Sequence, residues 1–205
     1  MNQLVLIDLK KKRSQGGPHN FLVVKLGAQI HDIMVSVHQS QWEVVGSMKY
    51  EVFVISSKSC KITRKVKLQM KHADDQEKIL SLGHTPNHFV TLSHYGEGNN
   101  SLHVSCFKET TGECTDTLDM TQHAGGYGLL LNLAVATTVK QSLFVVSLSG
   151  GSLHMIGCHK GVLHHLQKLQ CSASATTQIC AFEFKGQQYF APGSWYKSYI
   201  FKLTY

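Results

Sequence analysis

Ser101-Leu-His-Val-Ser-Cys-Phe-Lys-Glu-Thr-Thr-Gly-Glu-Cys-Thr-Asp-Thr-Leu118 reads as two extended runs joined by a turn at Gly112. The first run alternates apolar Leu102, Val104 and Cys106 with polar residues, and neither run keeps a helical period. A second stretch has the same layout: Leu143-Phe-Val-Val-Ser-Leu-Ser149, then Ser152-Leu-His-Met155, then Lys160-Gly-Val-Leu-His-His-Leu-Gln167. Ser101-Leu102-His103 and Ser152-Leu153-His154 match letter for letter. Tyr189-Phe-Ala-Pro-Gly-Ser-Trp195 followed by Ser198-Tyr-Ile-Phe-Lys-Leu203 is a third, partial version. The spacing is about 40 to 55 residues, the size of a four-stranded propeller blade.

Working outward, the whole chain reads as about seventeen short apolar segments ending in turn chemistry, with no helix persisting for three turns. Turns are expected at 96–100, Gly112, Gly150-Gly151, Gly161 and Gly186, where hairpins require them. A meander of this many strands must close as a barrel, fold over as a sandwich or repeat radially as blades, and the repeat selects blades. The expected fold is therefore all-β. It is one β-propeller domain over 1–205, of about four to five antiparallel four-stranded blades. Complete blades are expected over 30–68, 78–120 and 128–169, the end of a blade over 1–26, and the start of one over 176–205. Pairing between the terminal strands would close the ring and hide its open edges; otherwise a partner or further chain would be needed.

These residues resemble WD40 repeats. Leu102 to Leu118 is similar to that family's third strand, Gly-Glu turn and fourth strand, and Leu4-Val-Leu-Ile-Asp-Leu-Lys10 resembles the third strand with Ile7-Asp8 where Trp-Asp is usual. Gly193 to Leu203 resembles the run from second to third strand, and Gly83-His84 stands about where the family's Gly-His dipeptide falls. No Trp-Asp dipeptide occurs in the chain, so the resemblance is to a divergent member. A secreted propeller family that closes with an aromatic-rich strand is the other propeller this ending fits. The WD40 resemblance implies a non-catalytic scaffold for protein–protein interaction, a subunit or adaptor in a larger complex.

Composition bounds the rest. The chain of 205 residues carries 20 Lys and Arg against 13 Asp and Glu, a net charge of +7 that favours an acidic partner. The basic residues are dispersed except for Lys10, Lys11, Lys12 and Arg13, which keep nucleic acid open as a partner class. The six cysteines form no CxxC pair or framework spacing, so reduced thiols and a cytoplasmic or nuclear setting are expected. The Asn99-Asn100-Ser101 sequon is the one feature pointing elsewhere. No apolar run is long enough for a membrane span.

Few residues carry a recognisable catalytic or ligand-binding pattern. Thirteen histidines invite a metal, and His159, His164 and His165 with Cys158 form the densest group, but adjacent strand residues point to opposite faces. No Gly-x-Ser-x-Gly elbow is present, Gly125-Gly126-Tyr127-Gly128 lacks the Lys-Ser/Thr of a phosphate loop, and Asp74-Asp75 sits in a polar loop. No enzyme, no cofactor and no metal is expected. A funnel site where His84, His103 and His154 converge is the alternative. Trp195 and Tyr196, large aromatics at an expected turn, are the best candidates for partner contact.

Overall fold

The computed structural model describes residues 3–7, 21–25, 32–38, 41–48, 50–56, 59, 61–70, 77–85, 87–95, 101–123, 132–137, 142–148, 151–171, 176–194 and 198–202. Over these the protein is nearly all β. Five antiparallel sheets follow one another along the chain. The first pairs β1 (Gln3–Ile7) with β2 (Phe21–Lys25). The second is the meander β3 (Asp32–His38), β4 (Gln41–Met48), β5 (Glu51–Ser56) and β6 (Ile62–Lys67). The third runs β7 (Glu77–His84), β8 (His88–Tyr95), β9 (Ser101–Lys108) and β10 (Cys114–Asp119), and a single 3-10 turn follows at Thr121–His123. The fourth is β11 (Asn132–Thr137), β12 (Ser142–Ser147), β13 (Ser152–His159) and β14 (Val162–Gln170). The fifth has three strands, β15 (Thr176–Phe184), β16 (Gln187–Ser194) and β17 (Phe201–Lys202).

The second to fifth sheets stack in series, each on the next. One apolar core lies between the second and third sheets, joining Val45, Val52, Val54 and Val66 to Ile79, Leu82, Phe89 and Phe107. A second joins Val90, Leu92, Val104 and Cys106 to Phe144, Val146, Leu148, Ile156 and Cys158 of the fourth sheet. A third joins Leu143, Val145 and Leu153 to Phe190, with Ile179 and Phe201 packed against them. Alternate residues of one strand thus feed two cores: on β12, Phe144 and Val146 face the third sheet while Leu143 and Val145 face the fifth. Burial on both faces explains why these strands read as unbroken apolar runs. A two-sheet sandwich leaves each sheet one solvated face, which the third and fourth sheets do not have.

The first strands of successive sheets are neighbours, β3 beside β7, β7 beside β11 and β11 beside β15, and the outer strands β10 and β14 also meet. This is a β-propeller-like arrangement. Polar contacts tie the same junctions. Gln69 N–H donates to the Gly112 carbonyl at 2.8 Å, Leu163 N–H to Asp116 Oδ2 at 2.7 Å, and the Thr115 hydroxyl to the Gly161 carbonyl at 2.8 Å.

The hairpin turns sit where glycine chemistry requires them. Lys160 and Gly161 have φ of 51° and 83°, and Lys185 and Gly186 have 50° and 71°. Two successive positive φ values give the twist that suits a two-residue hairpin. Among the described residues no ladder joins the ends: β1 pairs with β2, and β17 with β16. The expected closure by terminal-strand pairing is therefore not among the pairings present.

The strand aromatics divide between core and surface. Phe89 and Phe144 are fully buried, whereas Phe182 and Phe184 are 37% and 56% exposed. Both lie on β15, on the face turned away from the fourth sheet, where Phe182 stacks on Tyr189 and Lys185 Nζ lies over the Phe184 ring.

Candidate functional site

The polar side chains with chemical potential gather at the sheet junctions, in three groups. At the junction of the second and third sheets, Glu109 follows the end of β9 and its Oε1 accepts from Arg64 Nη2 of β6 at 2.5 Å. The same oxygen lies 3.2 Å from Nε2 of His84, the last residue of β7. Glu43 of β4 is 3.9 Å from Arg64. The His84 ring is 1% exposed and stacks on Phe89. Burial pushes the His84 pKa down, against the attraction of Glu109. This group is an inter-sheet clamp in which Arg64 and Glu43 are partly exposed while His84 and Glu109 are buried.

A second group lies between the third and fourth sheets. Cys106 of β9 and Cys158 of β13 face one another with sulfurs 3.7 Å apart, and His88 at the start of β8 completes a set whose ligand atoms all lie within 4.8 Å. Hydrogen bonding from Cys106 holds the Cys158 thiol down at about 7, opposed by burial and helped by the Gly161 N–H. The same contact, with burial, pushes Cys106 up. Burial lowers the His88 pKa, so its ring is neutral at pH 7.

The third group joins the 3-10 turn to the fourth sheet. Ser152 Oγ lies 3.2 Å from His154 Nε2, and His154 Nδ1 lies 2.9 Å from His165 Nε2. The His123 ring lies 4.8 Å from that of His154 and stacks on His165 at 5.3 Å. Burial, then repulsion from His123, His165 and Lys168, lowers the His154 pKa to about 4. The Ser-His-His order resembles a nucleophile, base and orienting group, but Ser152 and His154 are 4% and 0% exposed. Their hydrogen bonds satisfy buried polar atoms first.

These groupings differ from the densest cluster along the sequence. Cys158 turns to Cys106 and His165 to His154, while His159 and His164 are exposed. The funnel set is also divided, because His84 belongs to the Arg64–Glu109 clamp and His154 to the histidine cluster, while His103 pairs across the ladder with Asp119. Cys106 with Cys158, 52 residues apart, and His123 with His154 escape sequence reading. Only the stacking of sheets brings them together. Lys10, Lys11, Lys12, Arg13, Trp195, Tyr196, Asp74, Asp75, Asn99 and the 125–128 glycines lie outside the described residues.

No family model and no curated relative matches the chain. A chain in the crystal structure of a mitotic checkpoint complex is similar in fold, with a TM-score of 0.56 at 10% identity. The match covers 91% of this chain and 53% of that one, so this chain spans about half its length. At that identity the likeness concerns the fold. Among the described residues no helix is long and apolar enough to cross a membrane.

Proposed function

We propose that this chain is a non-catalytic scaffold for protein–protein interaction, WD40-like in kind, acting as a subunit or adaptor of a larger complex. The observation that carries the reading is the serial stacking of sheets through three apolar cores. A frame buried on both faces of its central sheets is rigid, and it leaves the connecting segments free to vary and to bind. The fold neighbour belongs to an assembly of several proteins, which supports protein partners. The reading takes the sheets as blades of a ring of four to five, completed by a partner or a further segment of chain. The exposed Phe182 and Phe184 face supports that completion. Reduced thiols suit a cytoplasmic or nuclear setting, and the described cysteines are all free.

Partner contact is assigned to Trp195 and Tyr196, between β16 and β17 in sequence, with Lys10 to Arg13 as a secondary basic element. Co-purification from the native source at modest salt tests this. A stable protein partner, lost on Trp195→Ala with Tyr196→Ala, is the expected result; recovery of the chain alone contradicts it. Neutralising Lys10 to Arg13 separates nucleic-acid binding, whose affinity would be steeply salt-dependent.

A further inference from the structure

We propose that His88, Cys106 and Cys158 form a zinc site that staples the β7–β10 sheet to the β11–β14 sheet. Two thiolates bound to one tetrahedral zinc at about 2.3 Å lie about 3.8 Å apart. The two sulfurs here are 3.7 Å apart, on different sheets, already at the separation a shared ion demands. A disulfide needs about 2.05 Å, so oxidation would draw both strands inward. His88 brings an imidazole nitrogen to within 4.8 Å of both sulfurs and is the third donor of the set.

Gly161 sits at this junction, where its carbonyl accepts from the Thr115 hydroxyl at 2.8 Å. Gly161 also keeps the space open. A Cβ on it would lie 3.0 Å from His88 Nε2 and 3.0 Å from Thr115 Oγ1. Cys106 and Cys158 are 0% and 6% exposed, and His88 is half-buried, so the ion enters past the imidazole. Two thiolates and an imidazole select a thiophilic ion such as Zn²⁺ over Mg²⁺ or Ca²⁺. Three protein ligands leave the fourth position to solvent. The histidine cluster is the competing locus, but its His154 and His165 nitrogens stand 2.9 Å apart, closer than the roughly 3.3 Å that two imidazoles on one tetrahedral zinc require.

The test uses the full 205-residue chain, reduced and stripped with chelator, titrated with Zn²⁺ and separately with Co²⁺. The site predicts one equivalent of zinc, a thiolate-to-cobalt charge-transfer band, and a rise in Tm of about 5 °C or more at saturation. Cys106→Ser and Cys158→Ser should each abolish the band. Should those variants not fold, the half-buried His88→Gln gives the second readout. It should weaken zinc binding by more than about a hundredfold, beyond the loss of about 10- to 100-fold that changing an outer hydrogen-bond partner alone causes. A folded, reduced wild type with no charge-transfer band overturns the proposal. So does zinc binding that survives both serine variants but is lost in His154→Gln, and so does a Cys106–Cys158 disulfide that persists where zinc does not bind.

Discussion

Gly112 and Lys67 meet backbone to backbone across the junction of the second and third sheets. A Cβ on Gly112 would stand 2.0 Å from the Lys67 carbonyl oxygen, and Gly112 has φ of +69°. The β9–β10 turn is thus seated directly on the end of β6, where the adjacent Gln69 N–H bonds the Gly112 carbonyl. Two requirements coincide at this residue, a left-handed backbone and room for close approach.

Gly112→Ala should therefore cost about 3 kcal/mol or more, since strain at positive φ alone costs about 1–3 kcal/mol and the clash adds to it. Gly186→Ala is the matched comparison. It has φ of +71° and nothing within 4 Å, so only the strain, about 1–2 kcal/mol, should appear. Chemical denaturation of both variants reads the difference, and equal losses would show that the turn is not seated on β6.

Phe144 is fully buried in the core between the third and fourth sheets. Phe144→Ala should destabilise by about 3–5 kcal/mol, a large share of a typical domain's stability. The loss should appear as one cooperative transition at lower urea concentration, because β12 also feeds the next core through Leu143 and Val145. A variant in which the junction of the third and fourth sheets loses its signals while Leu143, Val145 and Phe190 keep theirs would show that the cores act separately.

The clamp at Glu109 divides unequally. Glu109→Ala strands the 1% exposed His84 ring and should cost about 1–3 kcal/mol. Arg64, 39% exposed, is rehydrated when its partner goes, so Arg64→Ala should cost about 1 kcal/mol or less. Thermal unfolding of the two variants checks the order.

Acid should weaken the fold through its histidines. His154 is held neutral in the fold, with its pKa lowered from 6.5 to about 4, and burial also lowers His84, His88, His94 and His165. The unfolded chain takes up these protons first as pH falls. The stability is therefore full above pH 6.5 and lost progressively toward pH 4. His154 accounts for up to about 3 kcal/mol of it by linkage. His154→Gln should flatten the stability–pH curve across this window, and an unchanged slope would remove His154 as its source.

How far the residues alone carry the account depends on range. Glu51–Ser56 announces itself through a local β-branched run, and Ser101–Lys108 through the alternation of Leu102, Val104 and Cys106 with polar residues. The Gly112, Gly161 and Gly186 turns follow from conformational preference confined to one or two residues. The junction groups were not legible in the same way. Cys158 stands beside His159 in the chain, yet pleating sends it to Cys106 on another sheet while His159 turns to solvent. Such contacts depend on how sheets face one another, and no local preference encodes that.

The stacking of consecutive sheets is tested most directly by methyl NOE spectroscopy on the selectively labelled chain. The account predicts cross-peaks linking Val90, Leu92 and Val104 to Val146, Leu148 and Ile156. It also predicts a separate set linking Val52, Val54 and Val66 to Ile79 and Leu82. Cross-peaks confined within each meander, with none between neighbouring sheets, would contradict it.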